Sequence, residues 1–309
     1  MNPLKQRLAQ KKLLVADGAW GTELSRRGLA AGEVPESWNL THPDVLRAMA
    51  ADYVAAGADV VLTNSFGGSS VKLAKAGLAD KAPELNRLAA QLSKEAADDV
   101  ALVFASMGPT GEFLAPLGTL SEDDALAAFA EQVKAFVEGR ADGVVIESMS
   151  DLAEAKVALR AVRENSEFEV VVSMTFEKGA RGYATIFGVT PEQAVRELEA
   201  AGADVVGANC GAGMDNIIEV AKLMRPATTL PLWFKPNAGL PELVDGETVF
   251  RETPDDFAAR LPALLDAGAQ IVGGCCGSTP DHIRLLVAGC RGTTPDHIKK
   301  LRDQADELT

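Results

Sequence analysis

The chain has 309 residues, 47% hydrophobic and 24% charged, with 30 basic against 44 acidic side chains and a net charge of −14. That composition excludes a disordered chain and a disulfide-stapled miniprotein, and an acidic chain with no basic stripe argues against nucleic acid as a partner. No apolar run approaches the ~18 residues of a membrane span, and the first dozen residues, MNPLKQRLAQKK, lack the apolar centre of a secretory signal, so a cytoplasmic protein is expected.

Short β-branched runs alternate with longer alanine- and leucine-rich segments. The runs are LLVADG (13–18), DVVLTN (59–64), LVFASMG (102–108), GVVIES (143–148), EVVVSMT (169–175), DVVGANC (204–210), PLWFKPN (231–237) and IVGGCCG (271–277). Most are apolar throughout, as parallel strands covered on both faces require. The spacing predicts helices over 41–57, 82–99, 121–139, 151–165, 190–202, 214–224, 253–268 and 278–289, with Thr41 as the first N-cap. AAGADVVLTN, AAGADVVGANC and DAGAQIVGGCC repeat one logic, in which glycine closes a helix and a short turn leads into a buried strand. Eight strand–helix units with right-handed crossovers read as a single-domain (β/α)8 TIM barrel over residues 1–289, the alternative being a doubly wound open sheet. CCGSTPDHIRLL (275–286) is echoed by CRGTTPDHIKKL (290–301). This apparent short duplication predicts a C-terminal helical extension, 290–309, in which Cys290 and His297 have no chemical role and His282 and His297 lie on helix surfaces.

Barrel chemistry gathers at the carboxyl ends of the strands. Those positions here are Asp17, Asn64, Met107–Gly108, Glu147, Thr175, Asn209–Cys210, Asn237 and Cys275–Cys276. Cys275 and Cys276 can reach one point only if the strand breaks there, which Gly273, Gly274 and Gly277 permit. Three thiolates from Cys210, Cys275 and Cys276 would hold Zn2+ and leave a fourth position open, the form of a catalytic site; the alternative is that they are small buried apolar residues. Such a site suits capture of a substrate thiol, which zinc deprotonates and holds as a nucleophile. In DGAWGT (17–22), Gly18 and Gly21 let backbone N–H groups face a carboxylate, while Asp17 and Glu147 can pair with an ammonium group. Together these fit an amino-acid thiol.

DGAWGTEL, TNSFGG, IES, ANCG, PNAG and GGCCGSTPDHI, in that order, resemble the homocysteine S-methyltransferase family. Within it, the likeness is to the homocysteine-binding module of cobalamin-dependent methionine synthase, over about residues 12–289. The resemblance implies zinc on Cys210, Cys275 and Cys276, and a homocysteine thiolate that takes a methyl group to give methionine. It implies that Asp17, Glu147 and the backbone from Gly18 through Gly21 and Thr22 hold the amino-acid end. Asn209 and Asn237 join the binding set, Asn237 as a weak metal ligand when substrate is absent. No D-x-H-x-x-G corrinoid motif is found; DHIRLL and DHIKKL do not match it. The methyl donor is therefore expected from a separate methyl-corrinoid protein carrying methylcobalamin or a related corrinoid. The alternative donors are betaine or S-methylmethionine, for whose onium group Trp20, Phe66, Phe113 and Tyr183 are candidate aromatic contacts. Two further readings are a Schiff-base aldolase using Lys235 and a non-catalytic zinc- or thiol-binding subunit.

Overall fold

The computed structural model describes residues 2–11, 13–244 and 247–290. The predicted C-terminal extension beyond Cys290, His297 included, lies outside the described residues.

Eight parallel strands form one sheet: β1 (Leu14–Val15), β2 (Val60–Val61), β3 (Leu102–Met107), β4 (Gly143–Met149), β5 (Glu169–Met174), β6 (Val205–Cys210), β7 (Leu232–Pro236) and β8 (Ile271–Val272). Each pairs with its neighbour in sequence, and β8 pairs with β1. A parallel bridge from Ala16 to Val60 and a hydrogen bond from Asp17 N to Val60 O (2.9 Å) close the ring between β1 and β2. The sheet is thus a (β/α)8 barrel.

The predicted helices are present, with two local differences. The first runs Pro43–Ala55 and His42, not Thr41, precedes it; the Thr41 hydroxyl instead bonds Ser37 O and the His42 ring. The 253–268 segment is split into Pro254–Ala259 and Leu261–Asp266, because Pro262 has no N–H to continue the helical ladder. Ser121, Thr190 and Thr253 accept from the backbone N–H three residues on, as their sequence contexts predict. Further elements were not predicted, among them a helix over Pro3–Lys11, short helices at Gly21–Arg26, Trp38–Thr41 and Ser70–Ala74, and antiparallel hairpins pairing Glu177–Gly179 with Gly182–Ala184 and Glu242–Val244 with Glu247–Val249.

The apolar strands serve two cores. Outward residues such as Val61, Val103, Ile146, Val172, Val206 and Phe234 pack under the helices. Inward residues fill the barrel: Leu14, Val60, Phe104, Val145, Val171, Val205, Trp233 and Ile271, closed below by Leu4 and Leu8 of the Pro3–Lys11 helix. The repeated Ala-Asp before a strand has a structural use. Asp59, Asp142 and Asp204 accept the N–H of Val15, Val103 and Val170 on the preceding strand, at 3.0, 2.7 and 3.0 Å.

Candidate active site

Successive inward positions on a strand are two residues apart. One step above Phe104, Val145, Val171 and Trp233 come Ser106, Glu147, Ser173 and Lys235, all buried. The barrel interior therefore changes from apolar to polar within one layer. Above that layer opens a cavity of about 240 Å3, lined among others by Gly18, Trp20, Phe66, Glu147, Lys235 and the three cysteines.

Cys210 ends β6 in the left-handed region, φ +63°. β8 stops at Val272, and the chain leaves the sheet through Gly273 and Gly274. A Cβ on Gly273 would lie 2.8 Å from the Asp17 carbonyl oxygen, and one on Gly274 2.3 Å from Ser278 Oγ. Cys275 N donates to Pro236 O (2.7 Å) and Ser278 N to Cys275 O (3.1 Å), so the two adjacent cysteines sit in a turn rather than a strand. This is the break that lets both face one point. The sulfurs of Cys210, Cys275 and Cys276 lie within 4.8 Å of one another, with Cys210 and Cys275 3.1 Å apart. Among the described residues this is the one such cluster of Cys, His, Asp or Glu, and three soft donors at that spacing can hold a metal ion.

Asn237 adds a polar atom beside the cluster. Its loop is tied to the cysteine turn by Ala238 N to Cys276 O (2.9 Å), and its Nδ2 donates to Gly211 O (2.8 Å). Its Oδ1 is buried and has no hydrogen-bond partner among the described residues. An orphaned carbonyl oxygen between two cysteine-bearing segments fits a metal or ligand contact there.

The thiols share their protons. Contacts from Cys210 and Cys276 hold the Cys275 thiol well below its ordinary pKa, with the buried Lys235 ammonium adding to the effect against burial. The contact with Cys275, its contact with Cys276 and burial push Cys210 well up. For Cys276, the Cys210 contact pulls down, but the Cys275 contact and burial prevail and push it up to about 12. The triad thus favours one anionic sulfur solvated by two thiols. Burial also pushes Glu147 up to about 7, against the pull of Lys235 and of Ser106, whose Oγ donates to Glu147 Oε1 (2.5 Å).

The predicted site residues take three kinds of place. Gly18, Gly21, Glu147, Cys210, Cys275 and Cys276 line the cavity. The N–H groups of Gly18, Trp20 and Gly21 have no acceptor among the described residues, so they are available to an anion. Asn209, Asn237 and Thr22 brace the walls: Thr22 Oγ1 accepts from Gly277 N (3.1 Å), and Asn209 is enclosed between Ser148 and Ser173. Asp17 is fully buried and engaged, receiving Lys235 Nζ (2.6 Å), Trp20 Nε1 (2.8 Å) and Leu62 N (2.7 Å). Burial alone would lower the Lys235 pKa, but Asp17 and Glu147 outweigh it and raise it; a charged ammonium is not a Schiff-base nucleophile. His282, expected on a helix surface, is buried, with its ring bonded to Thr279 and Glu252 O. The loop around Glu252 covers it, which helical periodicity does not reveal. Of the four aromatic candidates, Trp20 and Phe66 line the cavity, while Phe113 packs edge-on against Phe187 at 5.8 Å.

Sequence reasoning missed Ser106 and Ser148 as cavity residues and named Lys235 only as the amine of the aldolase alternative. A signal existed for Ser106 and Lys235, each a polar residue interrupting an apolar strand. Ser148 had none, since a regular strand would turn it away from Glu147.

Residues 14–288 match the family profile described as homocysteine S-methyltransferase. Methionine synthase of Mycobacterium leprae (strain TN) is 32% identical over 299 residues, 91% of this chain and 24% of that protein. Methionine synthase of Mycobacterium tuberculosis (strain ATCC 25618 / H37Rv) is 31% identical over 292 residues, 89% of this chain and 24% of that protein. The chain spans about a quarter of the length of these curated relatives. The crystal structure of the homocysteine methyltransferase MmuM from Escherichia coli, metallated form, shares the fold with a TM-score of 0.78 at 24% identity, covering 93% of this chain and 99% of that one.

Proposed function

This chain belongs to the homocysteine S-methyltransferase family, and we propose that it is a zinc-dependent enzyme that methylates homocysteine to methionine, with the methyl group brought by a separate methyl-corrinoid protein. The observation that carries this is the convergence of the Cys210, Cys275 and Cys276 sulfurs beside Glu147 in one cavity. Those three sulfurs would hold the zinc, with Asn237 Oδ1 as a weak fourth contact before substrate binds. A zinc ion held there would supply Lewis acidity, which lowers the pKa of a thiol brought next to it.

The chain's own residues do the rest. The free N–H groups of Gly18, Trp20 and Gly21 receive the substrate carboxylate. Glu147, steered by Ser106, receives the ammonium as a carboxylate. Lys235 occupies Asp17, so the ammonium is directed to Glu147 rather than shared between two acids. Thr22, Asn209 and Asn237 act by holding the walls in place. With both poles of the amino acid fixed, the sulfur is aimed at the open mouth. Its lone pair forms the new S–C bond as the donor–methyl bond breaks and leaves its electrons on the donor.

The methyl-corrinoid donor rests on the likeness to methionine synthases. A second reading, an onium donor such as betaine or S-methylmethionine, has its own observation, because Trp20 and Phe66 both face the cavity. No described helix is long and apolar enough to cross a membrane, and the cytoplasm remains the proposed location.

The test is methionine formation by zinc-loaded protein from homocysteine with methylcobalamin, betaine or S-methylmethionine, each supplied alone. Turnover with methylcobalamin that stops without zinc supports the corrinoid reading. Turnover with an onium compound alone replaces it with the second reading. Homocysteine and zinc binding with no methionine from any donor, cognate corrinoid protein included, points to a thiol-binding subunit.

A further inference from the structure

β4 carries a register irregularity against β5 between Ile146 and Met149. Inside it, Ser148 has φ +59°. A regular strand would send Glu147 and Ser148 to opposite faces; here both line the cavity. Cys210, at the end of β6, is the second non-glycine residue of the site in the left-handed region. Such a backbone costs about 1 kcal/mol or more and persists only where the surroundings impose it.

Asn209 imposes it on both. Its side chain is fully buried, and Oδ1 accepts from Ser148 N (2.8 Å) and Ser173 Oγ (2.7 Å). Its Nδ2 donates to Ser148 Oγ (2.7 Å) and lies 3.4 Å from Cys210 Sγ and 3.9 Å from Cys275 Sγ. Thr175 Oγ1 donates to the Asn209 carbonyl (3.2 Å), which fixes the backbone between the asparagine and the cysteine. A hydroxyl has one proton to give. Because Ser148 Oγ accepts from Asn209, that proton is free for another acceptor, and Cys210 Sγ at 3.6 Å is within reach.

We propose that Ser148 is a positioning residue of the metal centre: its hydroxyl, oriented by Asn209, donates to the Cys210 sulfur and holds it in its ligand position. The proposal rests on the assignment of Cys210, Cys275 and Cys276 as zinc ligands. An O–H donor stabilises a thiolate over a thiol, and partners of this kind typically change metal affinity by about 10–100-fold. Ser148 also follows Glu147 directly. The irregular turn of β4 that seats the hydroxyl on Cys210 therefore seats the ammonium-binding carboxylate as well, and fixes the spacing between the two poles of the substrate.

The test compares Ser148→Ala and Ser148→Gly with the unaltered chain. Alanine removes the hydroxyl and keeps a Cβ at positive φ; glycine removes both. Three quantities are measured: the zinc Kd by chelator competition, the thiolate-to-metal charge-transfer band of the Co2+-loaded protein, and the unfolding midpoint of the metal-free chain. Both variants should bind zinc about 10–100-fold more weakly and move the cobalt band, while metal-free stability with glycine equals or exceeds that with alanine. Unchanged zinc affinity and an unmoved band in Ser148→Ala overturn the proposal. So does full recovery of affinity in Ser148→Gly but not Ser148→Ala, since strain rather than the hydroxyl would then be responsible. If the unaltered chain takes up neither zinc nor cobalt, the ligand assignment falls and this proposal with it; normal uptake with indifferent variants removes this proposal alone.

Discussion

Glu169 and Glu147 are both buried glutamates, on neighbouring strands and at opposite ends of the barrel. Burial raises the carboxyl pKa of each. Their partners differ. Glu169, at the lower end, accepts the N–H of Leu4 (2.7 Å) and of Lys5 (3.1 Å) from the Pro3–Lys11 helix that plugs the barrel. Around it Asp59 and Asp204 each take a backbone N–H and a lysine, Lys11 and Lys5. Glu147, at the upper end, has the Ser106 hydroxyl on one oxygen and lines the cavity together with Lys235 and the three cysteines. The same residue types make a scaffold where the chain satisfies them and a site where it leaves them to a ligand. Asp17 and Lys235 sharpen the point, because they stand at the upper end yet satisfy each other as lower-end groups do.

The largest expected effect comes from the least satisfied groups. Cys210→Ala, Cys275→Ala or Cys276→Ala should each abolish stoichiometric zinc and lower methyl transfer by roughly a thousandfold or more, since a bound metal contributes several kcal/mol to the transition state. Cys290→Ala, at the end of the last described helix and the far end of the barrel, should keep both. Full zinc occupancy in any of the first three, read by elemental analysis, would remove that residue from the metal site. Next is Lys235→Met, which leaves the Asp17 carboxylate buried without its cation and should cost about 3–5 kcal/mol of stability in urea unfolding. Adding Asp17→Asn should recover most of it. A harmless single change would mean that Asp17 is free for substrate after all.

The strands were legible because parallel strands covered on both faces carry apolar runs, as in the VVV of Glu169–Met174 and the LVFA of Leu102–Met107. The cysteine cluster was legible because strand ends six and eight carry it on one rim. The pairing of Asp17 with Lys235 was not. An aspartate at a strand end reads the same whether its partner is a ligand or a lysine 218 residues away. Ser148 was hidden by the irregularity in β4, which breaks the alternation that sequence reading assumes. The Pro3–Lys11 helix was hidden for another reason. It buries only Leu4 and Leu8, and nine residues are too few to signal or sustain a helix without Glu169 beneath it.

The two glutamates supply the remaining contrast. Glu147→Gln should keep zinc and weaken homocysteine binding by about 10–100-fold, the worth of one charge-assisted hydrogen bond, as titration calorimetry would read. Because the Glu147 carboxyl lies at about 7, binding by the unaltered chain should fall more steeply as pH drops below that value than binding by the glutamine variant, which keeps only the pH dependence of the substrate thiol and its zinc site. Stability runs the other way. A carboxyl raised above its unfolded value costs nothing below that value and progressively more as pH rises towards about 7. Metal-free wild-type chain should therefore lose at most about 3 kcal/mol relative to Glu147→Gln between pH 4.5 and 7.

Glu169→Ala should trade these effects, with stability falling and homocysteine binding holding. It removes two hydrogen bonds from the N-terminal helix, so stability should drop by about 1–2 kcal/mol and the melting temperature by roughly 2–6 °C. Zinc and homocysteine affinities should not change, because the polar layer stands above the apolar barrel core of Val145, Val171 and Trp233, which the plug only closes from below. Homocysteine affinity that falls with the melting temperature would show that the lower plug sets the shape of the upper cavity, and the division of the barrel into scaffold and site would have to be redrawn through its core.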